Sequence, residues 1–255
     1  MPHPAIRPSL ITSITAGVIM LTGTAFLAGN ALSQDGGGAV PITAPEDPGA
    51  SPTLNMTPPN HDGKAVRLFA TNDWSSWVDR DGEPSKWIVN ARTRVVEVSG
   101  GDAITTQHFR DFQLHIEFRC PPMPDAAGQG RSNSGVYLHG RYEVQVLDTF
   151  GDPPASNIAG AIYNIAPPLV NAARPGGQWQ TYDIIFRAPR FDLDGNVTEL
   201  PRVTVIHNGI VVQNNLELPR TTPGGLGDDM VPEGPILLQD HGDPVQYRNI
   251  WVRPL

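Results

Sequence analysis

A single cysteine, Cys120, in 255 residues leaves no intrachain disulfide to staple a fold. Placed before Pro121-Pro122, it reads as a buried inert thiol rather than a nucleophile. Basic charge is also scarce: 18 Lys+Arg stand against 26 Asp+Glu, a net charge of −8. A chain without a basic surplus has no counterion-release term to hold nucleic acid, so that partner class is excluded. There is no Cys pair, no His-Glu-x-x-His, no Gly-x-Ser-x-Gly elbow and no phosphate-loop pattern. Asp148, Asp152, Asp240 and Asp243 lie in loops, but without the ligand spacing of a calcium loop. No segment after residue 33 repeats its apolar residues every 3.6 positions.

One long apolar run is present, Ile14 to Leu27, behind His3 and Arg7. It is shorter than the roughly 20 residues that span a bilayer. With Ala31-Leu32-Ser33 after it, the segment 1–33 reads as a signal peptide. The expected product is exported, periplasmic or extracellular, with no membrane span left after cleavage. Residues 34–60 are rich in Gly, Pro, Ala, Ser and Thr and read as a flexible linker. A single domain is expected over 61–255.

Within it, 26 Gly and 26 Pro, counted over the whole chain, punctuate many short β segments. Phe112 to Arg119 alternates strictly, with Phe112, Leu114, Ile116 and Phe118 on one face and Gln113, His115, Glu117 and Arg119 on the other. Further strands are expected over 93–98, 134–138, 142–147, 160–165, 180–187, 202–208, 210–214, 235–239 and 245–253. Asn208-Gly209 between two β-branched runs predicts a tight hairpin; His207 beside it reads as a loop residue. Ten or so antiparallel strands imply an all-β sandwich of two sheets.

Polar faces are expected on any sandwich; a convergence of titratable and amide groups on one face is informative. Glu143 and Gln145 share a face opposite Tyr142, Val144 and Val146, and Asp148 closes that strand. If His115, Glu117, Gln239, His241 and Arg248 lie on the same curved sheet, they form a trough suited to sugar hydroxyls. The bland alternative is a solvated face with cross-strand ion pairs.

Four blocks resemble the 3-keto-disaccharide hydrolase domain family: Phe112 to Phe118, Asn133 to Asp148, Gly160-Ala161-Ile162-Tyr163 and Gln239 to Leu255, with Gly177-Gln178-Trp179-Gln180 as a fifth, shorter match. The resemblance implies a concanavalin-like jelly roll that cleaves glycosides already oxidised at C3. A C3 ketone acidifies the C2 proton, so a base can remove it, the C1 substituent leaves, and water adds to the enone. By the same resemblance Glu143 and Asp148 are the candidate acid/base groups. His115 or His241 polarises the ketone, and Asn133, Gln145, Gln239, Glu117, Tyr163 and Arg248 bind substrate. His139 is not a catalytic candidate. The resemblance fixes no cofactor, and a divalent cation in place of some of these donors stays open. The rival readings are a carbohydrate-binding module with an aromatic platform, and a two-carboxylate glycosidase using Glu117 and Glu143.

Overall fold

β-Branched and aromatic residues at period two, cut by Gly and Pro, form fifteen strands in a computed structural model that describes residues 63–69 and 72–255. The expected signal peptide and linker lie outside the described residues. One sheet has eight strands. Its order is β13 (Ile210–Glu217), β12 (Arg202–His207), β9 (Trp179–Arg187), β6 (Phe112–Arg119), β15 (Gln246–Pro254), β4 (Val95–Glu97) and β3 (Ile88–Asn90), with β1 (Val66–Phe69) also paired to β15. The second sheet runs β2 (Trp77–Val78), β5 (Ala103–Thr105), β14 (Leu237–Leu238), β7 (Ser134–Leu138) and β8 (Tyr142–Val146). A short hairpin, β10 (Arg190–Phe191) with β11 (Val197–Glu199), stands apart. Every strand pair is antiparallel. No α-helix occurs among the described residues, and hence none long and apolar enough to cross a membrane.

The alternation read from the sequence sorts side chains to the two sides of each sheet. Phe112, Leu114, Ile116 and Phe118 of β6 point inward and meet Val136, Leu138, Val144 and Val146 of β7 and β8 in one core. Trp74, Trp77, Trp87 and Tyr247 stack in series at one side, with centroid separations of 4.5 to 5.7 Å. Such ring pairs add about 0.5–1.5 kcal/mol each beyond their buried area. The fold is a jelly-roll β-sandwich, as the strand count implied.

Asn208 and Gly209 both take positive φ, 52° and 83°, which closes the β12–β13 hairpin as the Asn-Gly pair predicts. His207, expected in a loop, is instead the last residue of β12 and fully buried. Its Nε2 hydrogen-bonds to Gln180 Oε1 at 2.9 Å, and burial lowers its pKa to about 3. The segment 160–165, expected as a strand, makes only isolated bridges, Val144 with Ile162 and Ile162 with Ala166. It nevertheless covers the free edge of β8: Gln145 N donates to Ala161 O, Gly160 N to Gln145 O and Tyr163 N to Glu143 O. An exposed edge strand is thereby satisfied.

Candidate active site

Strand β8 pairs with β7 in the register Gly135↔Gln145 and Tyr137↔Glu143. These four residues therefore share the outer face of the five-stranded sheet, since Val136, Val144 and Val146 face the core. Asn133, two residues before Gly135, continues the same row. Glu143 is only 3% exposed. Its Oε2 accepts the Tyr137 hydroxyl at 2.9 Å, and burial, only partly offset by that bond, raises its pKa to about 8. The Tyr137 hydroxyl also reaches Pro223 O at 2.8 Å and accepts from Gln239 Nε2 at 3.2 Å. One phenolic proton faces two acceptors, so its direction follows the protonation of Glu143. With Glu143 ionised it points to the carboxylate; with Glu143 protonated the carboxyl can donate to the phenol, which then donates to Pro223.

The segment that carries Pro223 is pinned from outside. Arg80 donates to Gly224 O at 2.6 Å while its Nε pairs with Asp102 at 2.6 Å. Thr222 Oγ1 accepts Glu143 N at 2.9 Å, fixing the backbone under the carboxyl.

Gly135 makes room for that carboxyl. A Cβ there would sit 2.6 Å from Glu143 Oε1 and 2.9 Å from its Cγ. Gly135→Ala is expected to push Glu143 off Tyr137, destabilise the protein by about 1–3 kcal/mol and cut turnover far more than binding. A thermal melt beside kcat and KM measures it.

Two acceptors on this face have no partner. Asn133 Oδ1 and Gln145 Oε1 are buried and unbonded. Their amide nitrogens are tied to one residue: Gln145 Nε2 donates to Gln129 Oε1 at 2.9 Å and Asn133 Nδ2 to Gln129 O at 2.8 Å. Gln129 sits in the 3-10 turn Gly128–Gly130 and donates onward to Asn157 O at 2.8 Å. Each orphaned acceptor costs about 1–3 kcal/mol unless a donor arrives. Both stand in the same row as Glu143, and a hydroxyl group is a donor that would satisfy them.

The other expected site residues divide. Gln239 is brought in through Tyr137, and the bridge register puts Tyr163 beside Glu143, half-buried. His241 is exposed in the loop after Gln239. Asp148 lies five residues beyond Glu143, roughly 16 Å along the strand direction. Its Oδ2 packs where a side chain on Gly176 would stand, at the end of the sandwich. The acid and the base expected as a pair are therefore not adjacent.

His115, Glu117 and Arg248 do not join this face. They line the outer side of the eight-stranded sheet, in the register Glu117↔Arg248 and His115↔Asp183. The single trough expected from the sequence is two clusters on opposite sides of the sandwich, with sheets about 10 Å apart between them. Glu117 and Glu143 thus cannot be the carboxylate pair of a glycosidase. The second cluster is self-contained: Glu117 accepts Arg248 Nε at 2.6 Å and Asn249 Nδ2 at 2.9 Å, and His115 Nδ1 meets Asp183 Oδ1 at 2.7 Å. A bulge at Asn249, φ 48°, inserts one extra residue and lets Arg248, Asn249 and Trp251 all reach this side. Burial opposes the charge on His115, but Asp183 and Glu117 outweigh it and raise its pKa to about 9.

Sequence reasoning missed Tyr137, Gln129 and Thr222. Tyr137 was within reach, because Asn133, Gly135 and Tyr137 alternate just as Glu143 and Gln145 do. Gln129 and Thr222 lie in irregular segments that carry no such signal. Among the described residues no group of three or more His, Cys, Asp or Glu side chains is gathered as a metal site.

Comparison with known proteins agrees with this architecture. A candidate glycosyl hydrolase of known structure from Parabacteroides distasonis is 41% identical, covers 75% of this chain and 84% of its own, and superposes with a TM-score of 0.68. A second from the same organism, 17% identical with a TM-score of 0.58 over 76% of this chain and 95% of its own, shares the fold. The 3-keto-disaccharide hydrolase of Bacteroides thetaiotaomicron is 23% identical over 284 aligned positions, covering 96% of this chain and 97% of that protein. The model of the 3-keto-alpha-glucoside-1,2-lyase-like domain matches residues 63–253, so the chain belongs to that family.

Proposed function

We propose that the outer face of the five-stranded sheet binds a 3-keto-glycoside and cleaves it by elimination and hydration, with Glu143 as the C2 base. The observation that carries this reading is one constellation: a buried carboxyl with pKa about 8, a phenol bonded to it, and two unpartnered amide oxygens beside it. Asn133 and Gln145 accept hydroxyl protons from the sugar and fix its ring. Gln239 and the Tyr137 phenol hold the carboxyl in place. The C2–H bond breaks toward Glu143, and its electron pair forms the enolate of the C3 ketone. The enolate then expels the C1 oxygen, which leaves with a proton; Tyr163, on the same face, is the donor offered by the register. Water then adds its oxygen to C1 and gives one proton back to Tyr163, while Glu143 returns its proton to C2, so both groups are restored and the net change is hydrolysis. The same reading assigns polarisation of the ketone to His241, exposed in the loop after Gln239. The family membership and the hydrolase named among its relatives support the substrate class. We also propose export of the mature protein, on the N-terminal apolar run and small-residue site.

A base must be ionised to act, and the usual carboxylate is ionised far below neutrality. With its pKa raised to about 8, Glu143 is ionised in only a minor fraction at pH 7, so kcat/KM should rise with pH and level off above about 8. A profile that levels off near pH 4 to 5 would reject Glu143 as the base. The binding-module reading lacks its platform: all five tryptophans are buried. The test is direct: the purified full-length mature chain, with and without added divalent cations, is incubated with a 3-keto-glucoside and the released aglycone measured. No release under any of these conditions would overturn the reading.

A further inference from the structure

Across four neighbouring strands of the eight-stranded sheet, Trp179, Arg119, Gln246 and Glu97 stand in register on the outer side. They border a depression of about 360 Å³, completed by Arg248, Asn90 and Thr93. Both guanidiniums lie on the same indole, with the Arg248 carbon 4.0 Å and the Arg119 carbon 4.9 Å from the Trp179 ring centre. Two like charges are thus crowded on one aromatic surface; burial and the neighbouring Arg248 charge both lower the Arg119 pKa.

Their existing bonds leave donors over. Arg248 uses Nε on Glu117, which leaves its terminal amino groups for a ligand. Arg119 spends Nε and Nη2 on Gln246 Oε1 alone. The surrounding carboxylates are already engaged: Glu97 accepts Gln246 Nε2 at 2.6 Å, Glu117 holds Arg248 and Asn249, and Asp183 holds His115. A planar guanidinium fork binds a planar carboxylate through two parallel hydrogen bonds. Asn90, Thr93 and Glu97 on the rim are hydroxyl-binding groups, and the volume is that of a small-ligand site.

We propose that this depression is a second ligand site, on the side of the sandwich away from Glu143, that takes an acidic sugar with its carboxylate on Arg119 and Arg248 and its hydroxyls on the polar rim. It does not depend on the reaction assigned to the other face. Calorimetric titration of the full-length mature chain with D-glucuronate, D-glucose and inorganic sulfate tests it. Saturable binding of glucuronate, tighter than of glucose or sulfate, is expected. Arg119→Met should weaken it at least about tenfold, which corresponds to about 1.4 kcal/mol. Thr93→Trp, on the exposed rim, should block it without touching the arginines, and keeps the test valid if Arg119→Met folds poorly. Turnover of a 3-keto-glucoside should be unchanged in both variants, and glucuronate binding unchanged in Glu143→Gln. Absence of saturable glucuronate binding would overturn the proposal. So would equal binding of glucose or sulfate, or wild-type affinity in Thr93→Trp.

Discussion

Glu143→Gln is expected to lose about 10²–10⁴-fold in kcat on a 3-keto-glucoside, the range a positioned general base contributes, while gaining stability. The two effects share one cause. Glu143 is held 3% exposed with its pKa raised from 4.5 to about 8. Below pH 4.5 both folded and unfolded chains keep the proton, and the carboxyl has no influence on stability. Between 4.5 and 8 the unfolded chain releases it while the folded chain retains it, so folding is progressively disfavoured, by up to roughly 5 kcal/mol. Above about pH 8 the penalty is constant. Gln keeps the shape and carries no titrating proton. Its melting temperature should therefore match the wild type near pH 4 and exceed it increasingly up to pH 8. A variant that loses activity but melts lower at pH 8 would show that Glu143 stabilises the fold rather than being stored there under strain.

Glu117→Ala is expected to do the reverse: destabilise by about 3–5 kcal/mol, the usual result of removing one member of a buried ion cluster, and leave turnover of the folded protein intact. Glu117 is 2% exposed and bonded to Arg248 and Asn249, with His115 Nε2 at 3.8 Å. Its loss strands those donors in a poorly hydrated place. The pH dependence follows from His115. Its folded pKa is raised to about 9, so its charged-state stabilisation is complete below the unfolded value near 6.5 and is lost as pH rises through 9. The deficit of Glu117→Ala should accordingly be largest near pH 6 and shrink as pH rises through 9. Chemical denaturation at pH 7 and pH 10, with kcat measured under folding conditions, separates the effects. A large loss of kcat in folded Glu117→Ala would contradict the assignment of the two faces.

These two carboxylates show what the sequence could and could not tell. Alternation along β6 and β8 correctly identified Glu117 and Glu143 as outward-facing, because side-chain direction is a period-two property of each strand. It could not say outward from which sheet. That depends on pairings between distant segments, Glu117 with Arg248 and Gly135 with Gln145, which no local pattern encodes. The Asn208-Gly209 turn was legible because positive φ at two successive positions demands those residue types. The bulge at Asn249 was not, since Arg248 and Trp251 reach one side only through an extra residue in the ladder. His207 looked like a loop residue by its neighbours and is buried by its partners, Gln180 and Tyr182. Gln129, which sets both orphaned amides, acts from an irregular segment and became visible only in three dimensions.

In the proposed reaction the C2–H bond breaks at Glu143 before the glycosidic bond is lost. Single-turnover cleavage of a 3-keto-glucoside carrying deuterium at C2, compared with the protiated substrate, measures this most directly. A primary kinetic isotope effect is predicted, together with no cleavage of the same glucoside when it is unoxidised at C3. Equal rates for the two isotopologues, or cleavage of the unoxidised glucoside at a similar rate, would contradict it.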